Sequence, residues 1–260
     1  MMELGMRRRL WGRSLLLQAC WNFERMQNIG LAYGLQPWLE RVYGEADARR
    51  SALLRHQDFF NTNPTMEPLI VGMLCALEEE AAREPAPARE EKFARLCALK
   101  KALASALAGI GDTLFWQTLR PLCAGAAVLA GLFFWRARAP WALAVMVLVY
   151  LAGYNAVAAA LRWRGFELGY LWRDQIAVRL QDYAWQAWIR RLRLAGTALA
   201  CVLILCALIW AGSPGQRLLG VVSVLICLIA DRAASRPVPA MRFYAGASVL
   251  GALAAMAGWL

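Results

Sequence analysis

Apolar residues are distributed differently in the first 100 residues and in the rest of the chain. Residues 1–100 alternate apolar and polar positions at helical spacing, which predicts amphipathic helices at a cytoplasmic or interfacial surface. Residues 101–260 contain long charge-free runs and form the predicted transmembrane region. Three runs approach or exceed the roughly 20 residues that a helix needs to cross a bilayer: 139–161, 194–212 and 243–260. The pattern predicts an all-α, polytopic membrane protein.

Helix-breaking residues set the expected boundaries in the N-terminal region. Residues 14–43 have helical periodicity, which predicts either one amphipathic helix or two, broken near Gly34 and Pro37. The segment 83–89 contains two prolines and is interpreted as a linker. The acidic triplet 78–80 is interpreted as a solvated helix end, because most such charges face water.

The stretch 108–116 interrupts a helical pattern with two glycines, Gly109 and Gly111, followed by Asp112. Each glycine destabilises a helix by roughly 1 kcal/mol relative to alanine. We therefore predict a broken or re-entrant helix around 109–112, which a membrane tolerates where the backbone lines a cavity or is buried in protein. Asp112 is either a polar contact in a translocation pathway or a structural partner of Arg120 or of freed backbone amides, and both interpretations stay open.

A second group of candidates lies near the N-terminus, at Trp21, Asn22, Glu24 and Arg25. Aromatic rings beside amide, carboxylate and guanidinium groups could stack on a sugar and hydrogen-bond its hydroxyls. The alternative is an interfacial helix with Glu24 and Arg25 facing water, and the residue types alone favour that alternative.

His56 is the only histidine, so a histidine-based metal cluster or a Ser-His-Asp triad has little material. A single histidine could carry phosphate or act as a base, but we favour a hydrogen-bonded helix residue. No Gly-rich phosphate loop of the G-x-x-x-x-G-K type occurs in the sequence. We expect no metal and no cofactor.

Charge supports the membrane assignment. Of 29 basic and 18 acidic residues, residues 1–100 hold 14 and 13, which leaves 15 basic and 5 acidic residues in the apolar part. Basic residues between charge-free runs are typical of membrane-flanking anchors, so we expect lipid contact and no nucleic-acid partner. Seven scattered cysteines without a C-x-x-C pair suggest neither disulfides nor a zinc site.

Several motifs, in order and at similar spacing, resemble the IID component of mannose/fructose/sorbose phosphotransferase systems (PTS), and a weaker similarity continues at 165–170 (GFELGY). The motifs are 20–30 (CWNFERMQNIG), 55–64 (RHQDFFNTNP), 76–79 (ALEE) and 107–121 (LAGIGDTLFWQTLRP).

The resemblance implies a multi-pass subunit of the bacterial cytoplasmic membrane that pairs with a IIC subunit, forms oligomers and translocates a mannose-type sugar. It implies that soluble IIA and IIB subunits carry the phosphate to the sugar, so that the chain itself is no enzyme. It also makes a set of residues candidates for the sugar pathway or the IIC interface. These are Trp21, Asn22, Glu24, Arg25, Asn61, Thr62, Gly109, Gly111, Asp112, Trp116 and Arg120.

Two departures from the family pattern keep an alternative open. Thr113 stands where close relatives often carry proline, and residues 211–216 replace a longer loop. A divergent IID that no longer transports, and serves as a membrane scaffold or regulatory partner of PTS proteins, is therefore a second hypothesis. A stand-alone membrane enzyme lacks a nucleophile, metal or nucleotide motif to support it.

Overall fold

The computed structural model describes residues 2–210 and, beyond them, residues 215, 221, 222, 225 and 229. Within 2–210 the regular elements are helices, accompanied by two isolated β-bridges. In chain order they are α1 (Leu4–Ser14), α2 (Asn28–Val42), α3 (Ala46–Arg55), α4 (Glu67–Ala82), α5 (Ala86–Gly111), a π-helix (Asp112–Leu119), α6 (Arg120–Arg136), α7 (Ala142–Trp172), a 3-10 turn (Arg173–Gln175), α8 (Ile176–Asp182) and α9 (Trp185–Trp210). The prediction of an all-α fold is confirmed.

The predicted break near Gly34 and Pro37 is wrong, because α2 runs through both residues. A proline inside a helix leaves the carbonyl four residues earlier without its usual donor. Here that carbonyl belongs to Tyr33, and it accepts a hydrogen bond from Arg13 Nη1 at 2.8 Å. The side chain from the end of α1 thus replaces the missing backbone bond, and α2 continues.

The predicted linker 83–89 is shorter than expected. α5 begins at Ala86, so only residues 83–85 separate it from α4. Pro85 takes the position before the helix and Pro87 lies in its first turn. Proline is favoured there because the first helical N–H groups have no intrahelical acceptor to lose. The two prolines start a helix here rather than extending a loop.

The chain folds into two compact units, each built from two separate parts of the sequence. The first contains Met1–Leu119 and Ala152–Trp188, and the second contains Arg120–Leu151 and the described residues from Ile189 onward. The expected division into regions 1–100 and 101–260 stays a prediction. α5 itself passes through residue 100 without a break.

The first unit is built around α4. Twelve of the 16 residues of α4 are buried, including an apolar run from Leu69 to Cys75 in which each hydrophobic side chain is at most 2% exposed. A helix that is apolar all round must be covered on all sides. α1, α2 and α5 pack around it.

α7 crosses α4 at backbone contact, and two glycines make the crossing possible. A Cβ added at Gly169 would lie 2.0 Å from the carbonyl oxygen of Leu69, and one added at Gly72 would lie 2.2 Å from that of Phe166. Any side chain would push the helices apart. Gly169 also completes a Gly-x-x-x-Gly sequence with Gly165, a spacing that allows close helix contact in membranes.

Two continuous helical stretches are long and apolar enough to cross a membrane: Ala86–Arg136, with 51 residues, and Ala142–Asp182, with 41 residues. Only 22% and 11% of their apolar windows are buried inside the chain, so most of this apolar surface faces outward. The predicted run 139–161 lies almost entirely in the second stretch, and 194–212 overlaps α9. The run 243–260 lies outside the described residues.

The α4–α7 crossing gives a stability prediction. Gly169→Ala should lower the free energy of unfolding by about 1–3 kcal/mol, because the added methyl overlaps a backbone oxygen that cannot rotate away. Gly12→Ala is the matched control, since a Cβ there meets nothing within 4 Å and alanine favours helix. Thermal melting of the purified full chain in detergent measures both. A Gly169→Ala protein as stable as the control would contradict the close crossing.

Candidate functional site

Residues 15–27 form turns and bridges, so the helical periodicity predicted for them is wrong. The backbone of Asn22 pairs with that of Met26 in both directions, at 3.1 and 2.9 Å, and Met26 adopts a left-handed φ of 58°. The Asn22 side-chain oxygen also accepts the N–H of Arg25 at 2.8 Å. Asparagine side chains compete in this way with helical backbone bonds and favour turns.

This turn is joined to the segment 57–63, which connects α3 to α4. Gln27 lies at the centre of the joint: its Nε2 donates to the carbonyl of Thr62 at 3.0 Å, and its Oε1 accepts the Thr62 N–H at 3.0 Å. Its own N–H donates to the carbonyl of Phe60 at 2.8 Å. Gln27 and Thr62 are 2% and 4% exposed, so water does not compete for these bonds.

The next residue along, Asn63, joins the same segment to Asp112. Asn63 Nδ2 donates to Asp112 Oδ1 at 2.9 Å, while Asn63 Oδ1 accepts the N–H of Thr65 at 3.0 Å. A Cβ at Gly111 would lie 2.4 Å from the Cβ of Asn63, so only glycine allows this approach. The side-chain partner of Asp112 is therefore the amide of Asn63. It takes the place of the two partners considered from the sequence, which were Arg120 and freed backbone amides.

The interruption expected at 109–112 takes the form of a change in helix type. α5 continues through both glycines to Gly111, and the π-helix Asp112–Leu119 follows without an open break. Thr118 Oγ1 donates to the carbonyl of Thr113 at 2.7 Å and helps satisfy the wider turn. π-helical segments are rare, and those that occur are frequently found at functional sites.

Other candidates lie at the surface of the first unit. Glu24 and Arg25 form an ion pair at 3.2 Å with side chains 79% and 50% exposed. The rings of Trp21 and Phe23 meet edge to face with centroids 4.8 Å apart. Asn61 is also exposed, next to the buried Thr62.

The structure therefore brings some candidates together and leaves others apart. Bridges, hydrogen bonds and close packing connect Asn22, Arg25, Thr62, Gly111 and Asp112 through the segment 57–63. Gly109 faces open space, Trp116 is exposed and Arg120 begins α6 in the second unit.

Sequence reasoning missed the two connecting residues, Gln27 and Asn63. Both lie inside the motifs that carried the family resemblance, but their types are common in turns and on surfaces. Long-range pairing itself leaves no trace in local spacing.

The interpretation of the acidic triplet as solvated is wrong for Glu78, which is fully buried. Its carboxylate accepts four hydrogen bonds: from Tyr43 Oη at 2.7 Å, from Arg55 Nε and Nη2 at 3.0 and 2.9 Å, and from His56 Nε2 at 2.8 Å. His56 is a hydrogen-bonded residue at the end of α3, as favoured, and its ring is 0% exposed.

The pKa values of this cluster follow from burial and hydrogen bonding. Burial alone would raise the pKa of Glu78, but the hydrogen bonds and charges of His56 and Arg55 outweigh it and lower the pKa to about 2. Burial lowers the pKa of His56, against the hydrogen bond and charge of Glu78, which raise it. Burial and the adjacent carboxylate raise the pKa of Tyr43. Glu78 is thus an anion at neutral pH, and three residues donate hydrogen bonds to it.

The surface around Asp112 offers groups that can bind hydroxyls. Its Oδ1 is bonded to Asn63, while Oδ2 meets no side-chain donor among the described residues and is free to accept one. Across 2–210 no group of three or more His, Cys, Asp or Glu side chains could hold a metal ion. The chemistry available at this site is hydrogen bonding by a carboxylate and by amides.

The fold and site define a helical membrane protein with a polar site on a spanning helix. Residues 3–210 match the family described as "PTS system mannose/fructose/sorbose family IID component". The chain belongs to this family, as its motifs predicted.

The chain is similar to curated relatives over part of their length. It is 37% identical over 159 residues to the mannose-specific EIID component of Escherichia coli K12, a match that covers 61% of this chain and 52% of the relative. It is 36% identical over 154 residues to the sorbose-specific EIID component of Lacticaseibacillus casei, covering 59% and 50%. The chain thus spans about half the length of these relatives.

Two solved structures have a similar fold. A cryo-electron microscopy structure of the mannose transporter ManYZ with microcin E492 matches with a TM-score of 0.57 and 25% identity, covering 100% of this chain and 98% of the other. A structure described only as a membrane protein matches with a TM-score of 0.69 and 26% identity, covering 98% and 97%.

Glu78→Ala should destabilise the fold by about 3–5 kcal/mol, because it leaves the part-buried Arg55 guanidinium, the part-buried Tyr43 hydroxyl and the buried His56 ring without their acceptor. Thermal melting of the full chain at neutral pH measures the loss, and exposed Glu90→Ala is the control.

The stability difference between the wild type and Glu78→Ala should also depend on pH. The pKa of Glu78 is lowered from 4.5 to about 2 on folding, so its contribution is present above about pH 4.5 and is lost as pH falls toward 2. The wild type should therefore lose more stability than Glu78→Ala over that interval. Equal losses in both proteins would argue against the ionised network.

Proposed function

We propose that this chain is the IID membrane subunit of a PEP-dependent phosphotransferase system and that, with a IIC subunit, it translocates a mannose-type sugar. The observation that carries the proposal is that the 20–30 and 107–121 motifs both converge on the 55–64 motif, the latter through Asp112. The contacts of Thr62 and Asn63 support it, because adjacent residues tie both other motifs together.

Asp112 is the proposed polar contact to the sugar or to the IIC partner. It lies at the start of a π-helix inside a 51-residue helical stretch with an outward apolar face. An ionisable group within a membrane-spanning helix is costly, and it is usually retained for a functional contact. A carboxylate with one unbonded oxygen suits the hydroxyl groups of a sugar.

His56 is not the phosphate carrier in this proposal. Its ring is fully buried and its Nε2 is committed to Glu78 at 2.8 Å. A soluble phosphocarrier would have to reach an imidazole nitrogen, which burial prevents. We therefore assign the phosphate transfer to IIA and IIB partners.

The partners and location follow from the outward surface. Large apolar side chains on α7, among them Leu143, Leu148 and Leu151, are 68%, 64% and 48% exposed. Such surface requires lipid or another membrane subunit to cover it. We assign it to the bacterial cytoplasmic membrane, to a IIC subunit and to further copies in an oligomer. The relatives named for mannose and sorbose support the sugar class.

Asp112→Asn tests the proposal, because asparagine keeps the size and the acceptor for Asn63 but removes the charge. A hydrogen bond to a charged group contributes about 1.5–3 kcal/mol, so we expect sugar uptake to fall roughly tenfold or more. Uptake is measured in a strain that expresses the complete IIA, IIB, IIC and IID set. Glu90→Gln, an exposed carboxylate on the same helical stretch, is the matched control.

Undiminished uptake in Asp112→Asn and also in Glu24→Gln would overturn the site. If the complete wild-type set takes up no sugar while the chain still copurifies with PTS proteins, transport is contradicted and the scaffold or regulatory role is supported.

A further inference from the structure

Glu67, the first residue of α4, is a buried carboxyl group that the candidate site does not use. It is 0% exposed, and neither carboxylate oxygen has a hydrogen-bond partner among the described residues. This contrasts with Glu78 at the other end of the same helix, where four hydrogen bonds meet the carboxylate. Buried carboxylates without donors are rare, because an uncompensated charge is very costly away from water.

The groups shown to act on Glu67 come from two other helices and include one cation. A Cβ at Gly34 of α2 would lie 3.8 Å from Glu67 Oε1, which places a neutral backbone there. Arg162 of α7 is the one charged group whose attraction acts on Glu67 in the described part of the chain. Ser14 at the end of α1 is uncharged and is hydrogen-bonded to Arg162.

Arg162 does not neutralise Glu67 by direct contact. Its Nη2 donates to the carbonyl oxygen and to the hydroxyl of Ser14, at 2.6 and 3.0 Å. No ion pair between Arg162 and Glu67 occurs within the described residues. Nη2 of the guanidinium is committed to the end of α1, and the buried Nε has no hydrogen-bond partner among the described residues, so Glu67 receives only an electrostatic attraction from Arg162.

A closed site with these neighbours favours a proton over other ligands. Both oxygens are shielded from solvent, so a sugar or a hydrated ion cannot reach them while the helices stay packed. The nearby guanidinium charge also disfavours a metal cation. A proton needs no opening larger than a water molecule and removes the charge that burial penalises. Burial raises the pKa of Glu67 to about 8, against the opposing attraction of Arg162.

We propose that Glu67 is a proton-binding site, a neutral carboxylic acid at physiological pH that keeps its proton while α1, α2, α4 and α7 stay packed and releases it when their junction opens. The inference does not depend on the proposed sugar or partners. Any rearrangement that exposes the junction would release one proton from this chain.

The proton on Glu67 makes the stability of the folded chain depend on pH in a defined direction. The folded chain holds a proton that an exposed glutamate, with a pKa of 4.5, has already lost. Stability therefore falls as pH rises from 4.5 to about 8, with the ratio of folded to unfolded chain dropping by up to about tenfold per pH unit. Glutamine mimics the neutral acid and removes this dependence.

Infrared spectroscopy of the full chain in detergent tests the proposal directly, through the carbonyl stretch of a protonated carboxylic acid. We expect this band in the wild type at neutral pH, its loss near pH 8, and its absence in Glu67→Gln. Exposed Glu90→Gln is the control and should retain the band. A wild type without the band at neutral pH, or a band that persists in Glu67→Gln, overturns the proposal.

Melting curves give a second, independent readout. Glu67→Gln should match the wild type near pH 4.5 and become progressively more stable than it toward pH 8. A stability difference that is constant across this range overturns the proposal. If Glu67→Gln does not fold, the infrared titration of the wild type decides alone, because the expected band is observed or is not.

Discussion

The first unit depends on one buried anion, the carboxylate of Glu78. Its four hydrogen bonds come from the end of α2, the end of α3 and the residue that follows it. A second buried cation contributes nearby, where Lys100 Nζ donates to the carbonyl of Arg55 at 3.1 Å. Removing Glu78 would leave the charge of Arg55 and the donors of Tyr43 and His56 without their acceptor. The cluster therefore determines where α3 stops.

The candidate site follows from that endpoint. Because α3 ends at Arg55, the segment 57–63 starts at a defined place and can reach both Gln27 and Asp112. The segment has no regular structure of its own, so these side-chain contacts and one β-bridge hold it. Asp112 is in turn held at the point where α5 becomes π-helical. Packing in the core and polar geometry at the site are thus parts of one connected arrangement.

Periodicity predicted the parts of the fold that depend on local order. A charge-free run indicated one of the two stretches long enough to cross a membrane, Ala142–Asp182, whereas Ala86–Arg136 was not among the predicted runs. Periodicity failed to predict the structure where a distant side chain decides the outcome. Arg13 allows α2 to pass through Pro37, and Glu78 is buried only because Arg55 and His56 come to meet it.

The sequence predicted which residues belong to the candidate site better than it predicted their geometry. The motifs contained Asp112, Thr62 and Asn22, and the family they indicated is the one the chain belongs to. The connecting amides of Gln27 and Asn63 were not singled out, because pairing across 35 and 49 residues of sequence has no local periodicity. The π-helix was likewise beyond reach, since its glycines predict weakness in a helix and not the hydrogen-bonding pattern that results.

A cryo-electron microscopy structure of the full chain with its IIC partner, determined with sugar present, tests the central claim most directly. We expect Asp112 and the segment 57–63 to face the bound sugar or to be covered by the IIC subunit. A structure in which Asp112 faces lipid, with neither sugar nor partner within hydrogen-bonding distance of its Oδ2, would contradict it.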